Sequence, residues 1–232
     1  VPDGDIPLLE GMATTRAIRR FRPDPIPDED LDTILWHASR APSGSNRQPF
    51  RFIVLRDGER ARAARSLLGD AFRAEWQSKR AHDGYDTGSG LDPSSRKART
   101  ARAMQRFVDE FEQTPVVVLA CHHDYRPSTV FDGANVYPAC QNLLLAARAL
   151  GYGGVMTMWH VLVEDELRAL LDVPDGVTLA ATIALGRPEG SHGPVRRRPI
   201  AEIVYEDAWG VPAPWASDPP GTRFAGGPTR TS

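Results

Sequence analysis

The chain has 232 residues, of which 41% are hydrophobic and 25% charged, with 28 basic side chains against 30 acidic ones. That is the make-up of an ordinary globular domain able to bury a substantial core, and it lacks the basic excess of a nucleic-acid binder. No apolar run approaches the ~20 residues of a membrane span, residues 1–11 carry no signal-peptide pattern, and two cysteines are too few for a disulfide framework or a cysteine-based metal centre.

In chain order, residues 1–11 read as an irregular lead-in. The spacing of Ile18 and Phe21 against Arg16, Arg19 and Arg20 predicts a short helix over Met12–Arg20 with three guanidinium groups in one arc. Pro23, Pro25 and Pro27 end it. A second helix covers "DEDLDTILWHASRA", with acids in its first turn and Leu31, Ile34, Leu35 and Ala38 on one face. "RFIVLRD" is a strand. Two long polar helices follow, over residues 58–80 and 94–112, joined by a loop of the composition "HDGYDTGSGLDPS". "TPVVVLAC" is a strand buried on both faces, because its apolar run is continuous. "NVYPACQNLLLAARALG" is the most apolar helix, expected at the centre and capped by Gly151. A short strand "GGVMTMW", a helix "VEDELRALLDV", a strand "VTLAATIALGRP" and a final strand "PIAEIVYED" complete the pattern. Residues 208–232 are a Pro- and Gly-rich tail carrying Trp209, Trp215 and Phe224, either disordered or pinned to a surface by its aromatics. Strands separated by single and paired helices imply an α+β or mixed α/β fold with a central sheet. No Rossmann or Walker A glycine pattern is present.

Three stretches carry chemistry. The arginines of "RAIRRFR" call for an anion. "RAPSGSNRQPFRFIV" sets Ser43, Asn46 and Gln48 on a turn before a strand, where they either cap backbone groups or hydrogen-bond the edge of a planar heterocycle. "GPVRRRPIAEIV" adds Arg196, Arg197 and Arg198, which are either solvated surface charge or a second arm on the same anion. His122 and His123, adjacent after a strand, face opposite ways and make a poor metal-ligand pair, so a solvated loop position is expected. Cys121 and Cys140 read as small buried residues. His160 beside Trp159 is read as packing, with the wall of a substrate pocket as the alternative. Trp76 and Tyr85 either belong to a lid or fill a gap between long helices.

These residues carry a resemblance. "TTRAIRRFRPDPIPDEDLDTILWHASRAPSGSNRQPFRFIVLRD" resembles the N-terminal signature of the nitroreductase family of FMN-dependent oxidoreductases, and "ACQNLLLAARALGYGGVM" and "ALGRP…RRRPIAEIV" continue the match to about Tyr205. The resemblance implies an α+β nitroreductase-like fold over residues 12–207, with a central mixed sheet flanked by helices and an intertwined homodimer binding one FMN at each of two subunit interfaces. It assigns the cofactor contacts to Arg16, Ala17, Arg19, Ser43, Asn46, Gln48, Met156, Thr157, Met158 and Arg197, with Arg197 closing on the phosphate. The implied activity passes electrons from NAD(P)H through FMN, in a ping-pong sequence, to a small electron-poor acceptor such as a nitroaromatic or quinone. No residue is assigned a catalytic role, no metal is implied, and neither nucleic acid nor membrane is an expected partner. The expected location is the cytoplasm. The alternatives are a specialised flavin-dependent dehydrogenase or reductive dehalogenase on the same fold, or a non-catalytic flavin-binding protein. A deazaflavin in place of FMN would use the same phosphate site. Three departures stand out: Thr15 replaces the first arginine of the usual pair, Ala17 replaces a common serine, and Phe50 replaces a tryptophan. Relatives that cleave flavin usually carry aspartate at the place of Ala17. The dehalogenases' Glu, Tyr and Lys substrate clamp has no counterpart in the lid region, residues 76–106.

Overall fold

Four strands, β1 (Phe50–Leu55), β2 (Val116–His123), β3 (Gly153–Thr157) and β4 (Val177–Gly186), form one sheet in the order β1-β2-β4-β3. They are seen in a computed structural model that describes residues 6–127, 129 and 131–225. All three pairings are antiparallel, so the sheet that these residues form is antiparallel rather than mixed. The unbroken apolar run of β2 reports cover on both faces, which is usual in parallel sheets but is met here by an antiparallel strand between two layers of helices.

Among the described residues six α-helices surround the sheet: α1 (Leu8–Thr14), α2 (Asp28–Ala38), α3 (Glu59–His82), α4 (Arg96–Asp109), α5 (Gly133–Ala149) and α6 (Glu164–Leu170). Val116, Val118 and Ala120 of β2 pack with Ile34 of α2 and Leu143 of α5 on one face. Val117, Leu119 and Cys121 face the other way, toward Phe72 of α3, Phe107 of α4 and Leu167 of α6. Burial on both faces accounts for the unbroken apolar run of β2, and each of its larger side chains contributes about 1.5–3 kcal/mol. Phe72 anchors the second layer, with ring centroids 4.5 Å from Phe111 and 5.2 Å from an edge-on Trp159. Trp76 is buried between α3 and α4, donating to Gln105 at 3.0 Å, and Tyr85 packs on it at a tilt with centroids 5.1 Å apart, so the pair fills space beside the long helices.

Two expected elements are different. The helix expected over Met12–Arg20 is absent: α1 lies earlier and stops at Thr14, and the chain leaves it extended at Thr15 (φ −67°, ψ 120°). The hydroxyls of Thr14 and Thr15 donate to the carbonyls of Glu10 and Gly11, closing the last turn. From there the backbone pairs with distant chain, Ile18 N–H donating to Gly154 and Arg22 N–H to Arg187. The expected final strand is instead a 3₁₀ turn, Ile200–Glu202, whose first N–H donates to Asp218. The tail folds back here as far as residue 225, with Phe224 bridging Arg197 and Ala225 N–H donating to the Arg197 carbonyl. Residues 1–5 of the lead-in and 226–232 of the tail lie outside the described residues.

Candidate functional site

Arg16, Ala17, Arg19 and Arg20 sit on an extended segment held between β3 and the chain after β4. Ile18 N–H bonds Gly154 at 2.9 Å, Phe21 bridges Pro188, and Glu189 N–H bonds Arg20 at 3.1 Å. The close approach depends on two glycines. A Cβ at Gly153 would lie 2.6 Å from Ile18 Cγ1, and one at Gly186 would lie 3.0 Å from the Phe21 ring. Behind the segment, His192 Nε2 meets the Tyr152 carbonyl at 3.1 Å, and Val195 N–H reaches the Ala13 carbonyl at 3.3 Å. The second arginine run therefore starts beside the C-terminal end of α1, three residues upstream of Arg16.

Among the described residues no arginine of these two runs makes an ion pair, although Arg20 and Arg22 help hold the Glu189 carboxyl below its ordinary range behind its main partner Arg106. Several arginines elsewhere find carboxylates, Arg73 with Glu112, Arg80 with Asp86 and Arg106 with Glu189, each at 2.7 Å, while others, such as Arg148 and Arg187, bond only to hydroxyls. Among the described residues, Arg16, Arg19 and Arg197 have no carboxylate within ion-pair distance. Arg197 donates only to the carbonyl of Arg196. Arg19 is half-buried and makes no side-chain hydrogen bond to the described residues. Burial lowers its pKa, and the charge of Arg16 adds to that against an opposing influence from Tyr85. A guanidinium stays charged under such conditions, so Arg19 is a partly desolvated cation with no anionic partner among the described residues.

Ser43, Asn46 and Gln48 occupy a tight turn before β1. Ser45, Asn46 and Gln48 all have left-handed backbone, at φ 52°, 53° and 52°, a costly cluster for side-chain-bearing residues. Ser43 Oγ accepts from Gln48 N–H at 2.8 Å, Gln48 Nε2 donates to Asn46 Oδ1 at 3.2 Å, and Gly44 N–H donates to Asn135 Oδ1 at 2.8 Å. The Asn46 and Gln48 side chains are solvent-exposed. Met156 and Thr157 end β3 on its outer edge, and Met158 follows, its sulfur 3.9 Å from the Tyr137 hydroxyl.

One chain brings only part of the expected set together. The arginine segment flanks β3 at one edge of the sheet, whereas the Ser43–Gln48 turn precedes β1 at the opposite edge. Three strand spacings, about 14 Å, separate those edges.

The structure corrects the reading of His122. It is 4% exposed, on β2, and its Nδ1 lies 2.6 Å from Asp124 Oδ1. His160 is also buried, with Nε2 3.0 Å from the Leu179 carbonyl. A partner two residues away (His122–Asp124) was visible in the sequence as "HHD" but carries little information by itself. Cys121 and Cys140 are free and buried, and burial pushes their thiols up to about 11 and about 12. Among the described residues no cluster of His, Cys, Asp and Glu is arranged to hold a metal ion, and no helix is long and apolar enough to cross a membrane.

Comparison with known proteins gives this arrangement its context. An NADH dehydrogenase of Thermus thermophilus is 28% identical over 216 residues, covering 87% of this chain and 98% of the relative. A 5,6-dimethylbenzimidazole synthase of Rhodospirillum rubrum is 30% identical over 198 residues, 81% of this chain and 82% of the relative. Among solved structures, a putative nitroreductase from Desulfovibrio desulfuricans in complex with FMN superposes with a TM-score of 0.61 at 27% identity, covering 89% of this chain and 99% of that one. The model of the nitroreductase family matches residues 12–187, and with the α+β fold and four-stranded sheet described above, the chain belongs to that family.

Proposed function

We propose that the protein is an FMN-dependent oxidoreductase that takes electrons from NAD(P)H and passes them to an electron-poor acceptor such as a nitroaromatic or quinone. The observation that carries this reading is the pair of arginine runs without ion pairs, above all the half-buried Arg19 with no carboxylate partner. A cofactor phosphate answers both charge and desolvation through charge-assisted, bidentate hydrogen bonds. The residues therefore fit FMN, with Arg16 and Arg19 on the phosphate and ribityl chain or on the pyrimidine edge, and Arg197 closing on the phosphate. Ala17, Met156, Thr157 and Met158 would lie against the cofactor. When bound, FMN supplies hydride chemistry between the nicotinamide and the second substrate.

The chain's own residues bind and orient. Positive charge from Arg16 or Arg19 beside the pyrimidine edge favours anionic character there, as preorganised charge does in a site shielded from water. The exposed amides of Asn46 and Gln48 offer both donors and acceptors to a heterocycle edge. They lie at the far edge of the sheet, so they reach the arginine segment only from a second copy of the chain. We therefore read the working unit as a homodimer whose two sites each combine both groups. No side chain is required as a general acid, and two substrates sharing one position gives ping-pong kinetics.

The domain is assigned to residues 12–207, with 1–11 and 208–232 as appendages, and the place of action to the cytoplasm. The synthase relative suggests flavin cleavage as another activity, but Ala17 supplies no carboxylate where that chemistry is expected to need one. Arg197→Ala tests the site: FMN affinity, followed by flavin fluorescence, is expected to fall at least about tenfold, the scale of one lost charge-assisted hydrogen bond. Unchanged affinity removes Arg197 from the phosphate.

A further inference from the structure

A cavity of about 360 Å³ opens where α5 and β4 end. Arg22, Arg148 and Arg187 all line it, together with Ser191 and His192, and Pro188 is the one apolar side chain in its wall. The fold brings these residues together from three places in the chain. Arg22 N–H donates to the Arg187 carbonyl at 2.8 Å, just beyond β4, and Arg148 stands on the last turn of α5. His192 Nε2, on the Tyr152 carbonyl at 3.1 Å, holds the loop after β4 against the chain entering β3. None of the lining residues is among the contacts assigned to the cofactor.

The three guanidinium groups are oriented but not neutralised. Arg187 donates to the Tyr152 hydroxyl at 3.1 Å, with its Cζ 4.6 Å from the centre of the same ring. Arg148 reaches the Thr14 hydroxyl at 3.4 Å, and its charge helps burial keep the His192 imidazole below its ordinary pKa. Arg22 is exposed, and its side chain makes no hydrogen bond to the described residues. Among the described residues none of the three has a carboxylate within ion-pair distance. Two acids beside the wall are already engaged: Asp30 accepts from the Tyr152 hydroxyl at 2.5 Å, and both Glu189 oxygens accept from Arg106, at 2.7 and 2.8 Å. Three like charges around one cavity repel one another, and an anion relieves that. A carboxylate brings one charge and two oxygens in a plane, whereas a phosphate brings two charges and accepts from several directions, the match that guanidinium groups make best. The volume lies at the small end of the range for small-molecule sites, and the shortage of apolar wall suits a hydrophilic ligand.

We propose that this cavity binds a phosphate group, free or at the end of a small hydrophilic ester such as a sugar phosphate, through Arg22, Arg148 and Arg187. The ligand ties the end of α5, the end of β4 and the segment after α1 to one another through a single anion. Binding here needs neither flavin nor pyridine nucleotide, so it stands or falls separately from the proposed electron transfer.

The test is equilibrium dialysis of the purified protein, saturated with FMN in a phosphate-free buffer, against inorganic phosphate and against ribose 5-phosphate. Saturable binding of at least one is expected, weakened at least about tenfold in Arg22→Gln and in Arg187→Gln, the scale of one lost charge-assisted hydrogen bond. Tighter binding of the ribose ester assigns the site to an organic phosphate, and equal or tighter binding of inorganic phosphate assigns it to the free ion. No saturable binding of either overturns the proposal, as does binding that a folded variant leaves unchanged. Binding that appears only when FMN is left out also overturns it, because that phosphate occupies the cofactor's own site. The exposed Arg22 holds nothing else by its side chain among the described residues, so Arg22→Gln keeps the test decisive if Arg187→Gln does not fold. A protein that takes up no FMN is dialysed without it, and the variants then decide this proposal apart from the flavin reading.

Discussion

Arg19 and His160 show how position changes the chemistry of an ordinary side chain. Arg19 is half-buried yet makes no side-chain hydrogen bond to the described residues, whereas the half-buried Arg148 and Arg187 reach hydroxyls, a difference no spacing rule reveals. The run "RAIRRFR" drew attention by density alone, and the anion it called for follows from the folded environment rather than from a helical arc. His160 carries a different consequence. Burial lowers its pKa, and the hydrogen bond to Leu179 opposes this only in part. The unfolded chain therefore binds a proton more readily, and stability is present above about pH 6.5 and lost as the pH falls below it. His192 is lowered for the same first reason, burial, and adds in the same direction. Thermal melts from pH 8 to pH 5 are expected to show a falling midpoint, with a shallower fall in His160→Gln, whose amide can still donate to Leu179. A variant slope as steep as the original assigns the acid sensitivity to other groups.

At the level of elements, what was legible followed burial pattern. The unbroken run of β2, the apolar α5 and the amphipathic α2 were readable because side-chain periodicity reports directly on which faces are covered. Where backbone pairing decided, the sequence was silent. The segment after α1 had helical spacing, yet its N–H groups go to Gly154 and Arg187 across the molecule. "PIAEIV" looked like a strand, but Pro199 and the Asp218 carboxylate set a 3₁₀ turn. "GYGG" was read as a cap and a strand start, and its deeper role is steric. Gly153→Ala places a methyl 2.6 Å from Ile18 Cγ1 and 3.1 Å from His192 Nε2. It is expected to destabilise the fold by about 1–3 kcal/mol, as overpacking does, and to weaken cofactor binding by shifting the arginine segment. Adding Ile18→Ala should restore part of the lost stability, because the two sites are in contact. Denaturant unfolding of the four proteins measures this, and strictly additive effects would contradict the contact.

On the scale of the whole molecule, the proposed site residues form two groups in the sequence, and nothing in the sequence joins them into one site. A single chain holds Arg16 and Arg19 beside β3, with Val195 of the second run bonded to Ala13 nearby, and Ser43, Asn46 and Gln48 before the opposite edge strand. The order of strands, not the sequence of motifs, sets that separation. The two-fold dimer proposed above would unite one chain's arginines with the other's turn, and subunit mixing tests it. Arg197→Ala and a Ser43→Ala/Gln48→Ala double variant are each expected to bind FMN poorly. Refolded together in equal amounts, they should recover about one quarter of the original sites, since half the dimers are mixed and each has one intact site. No recovery would mean that both groups serve the same chain's site or none.

The central claim, that this chain works through a bound flavin reduced by a pyridine nucleotide, is tested most directly by the absorption spectrum of the purified protein, recorded before and after adding NADH or NADPH under argon. The account predicts the visible bands of oxidised flavin, retained through gel filtration or regained on adding FMN, and their bleaching by one of the two nucleotides. A colourless protein that takes up no FMN would contradict it, and the unpaired arginines would then belong to a different anion.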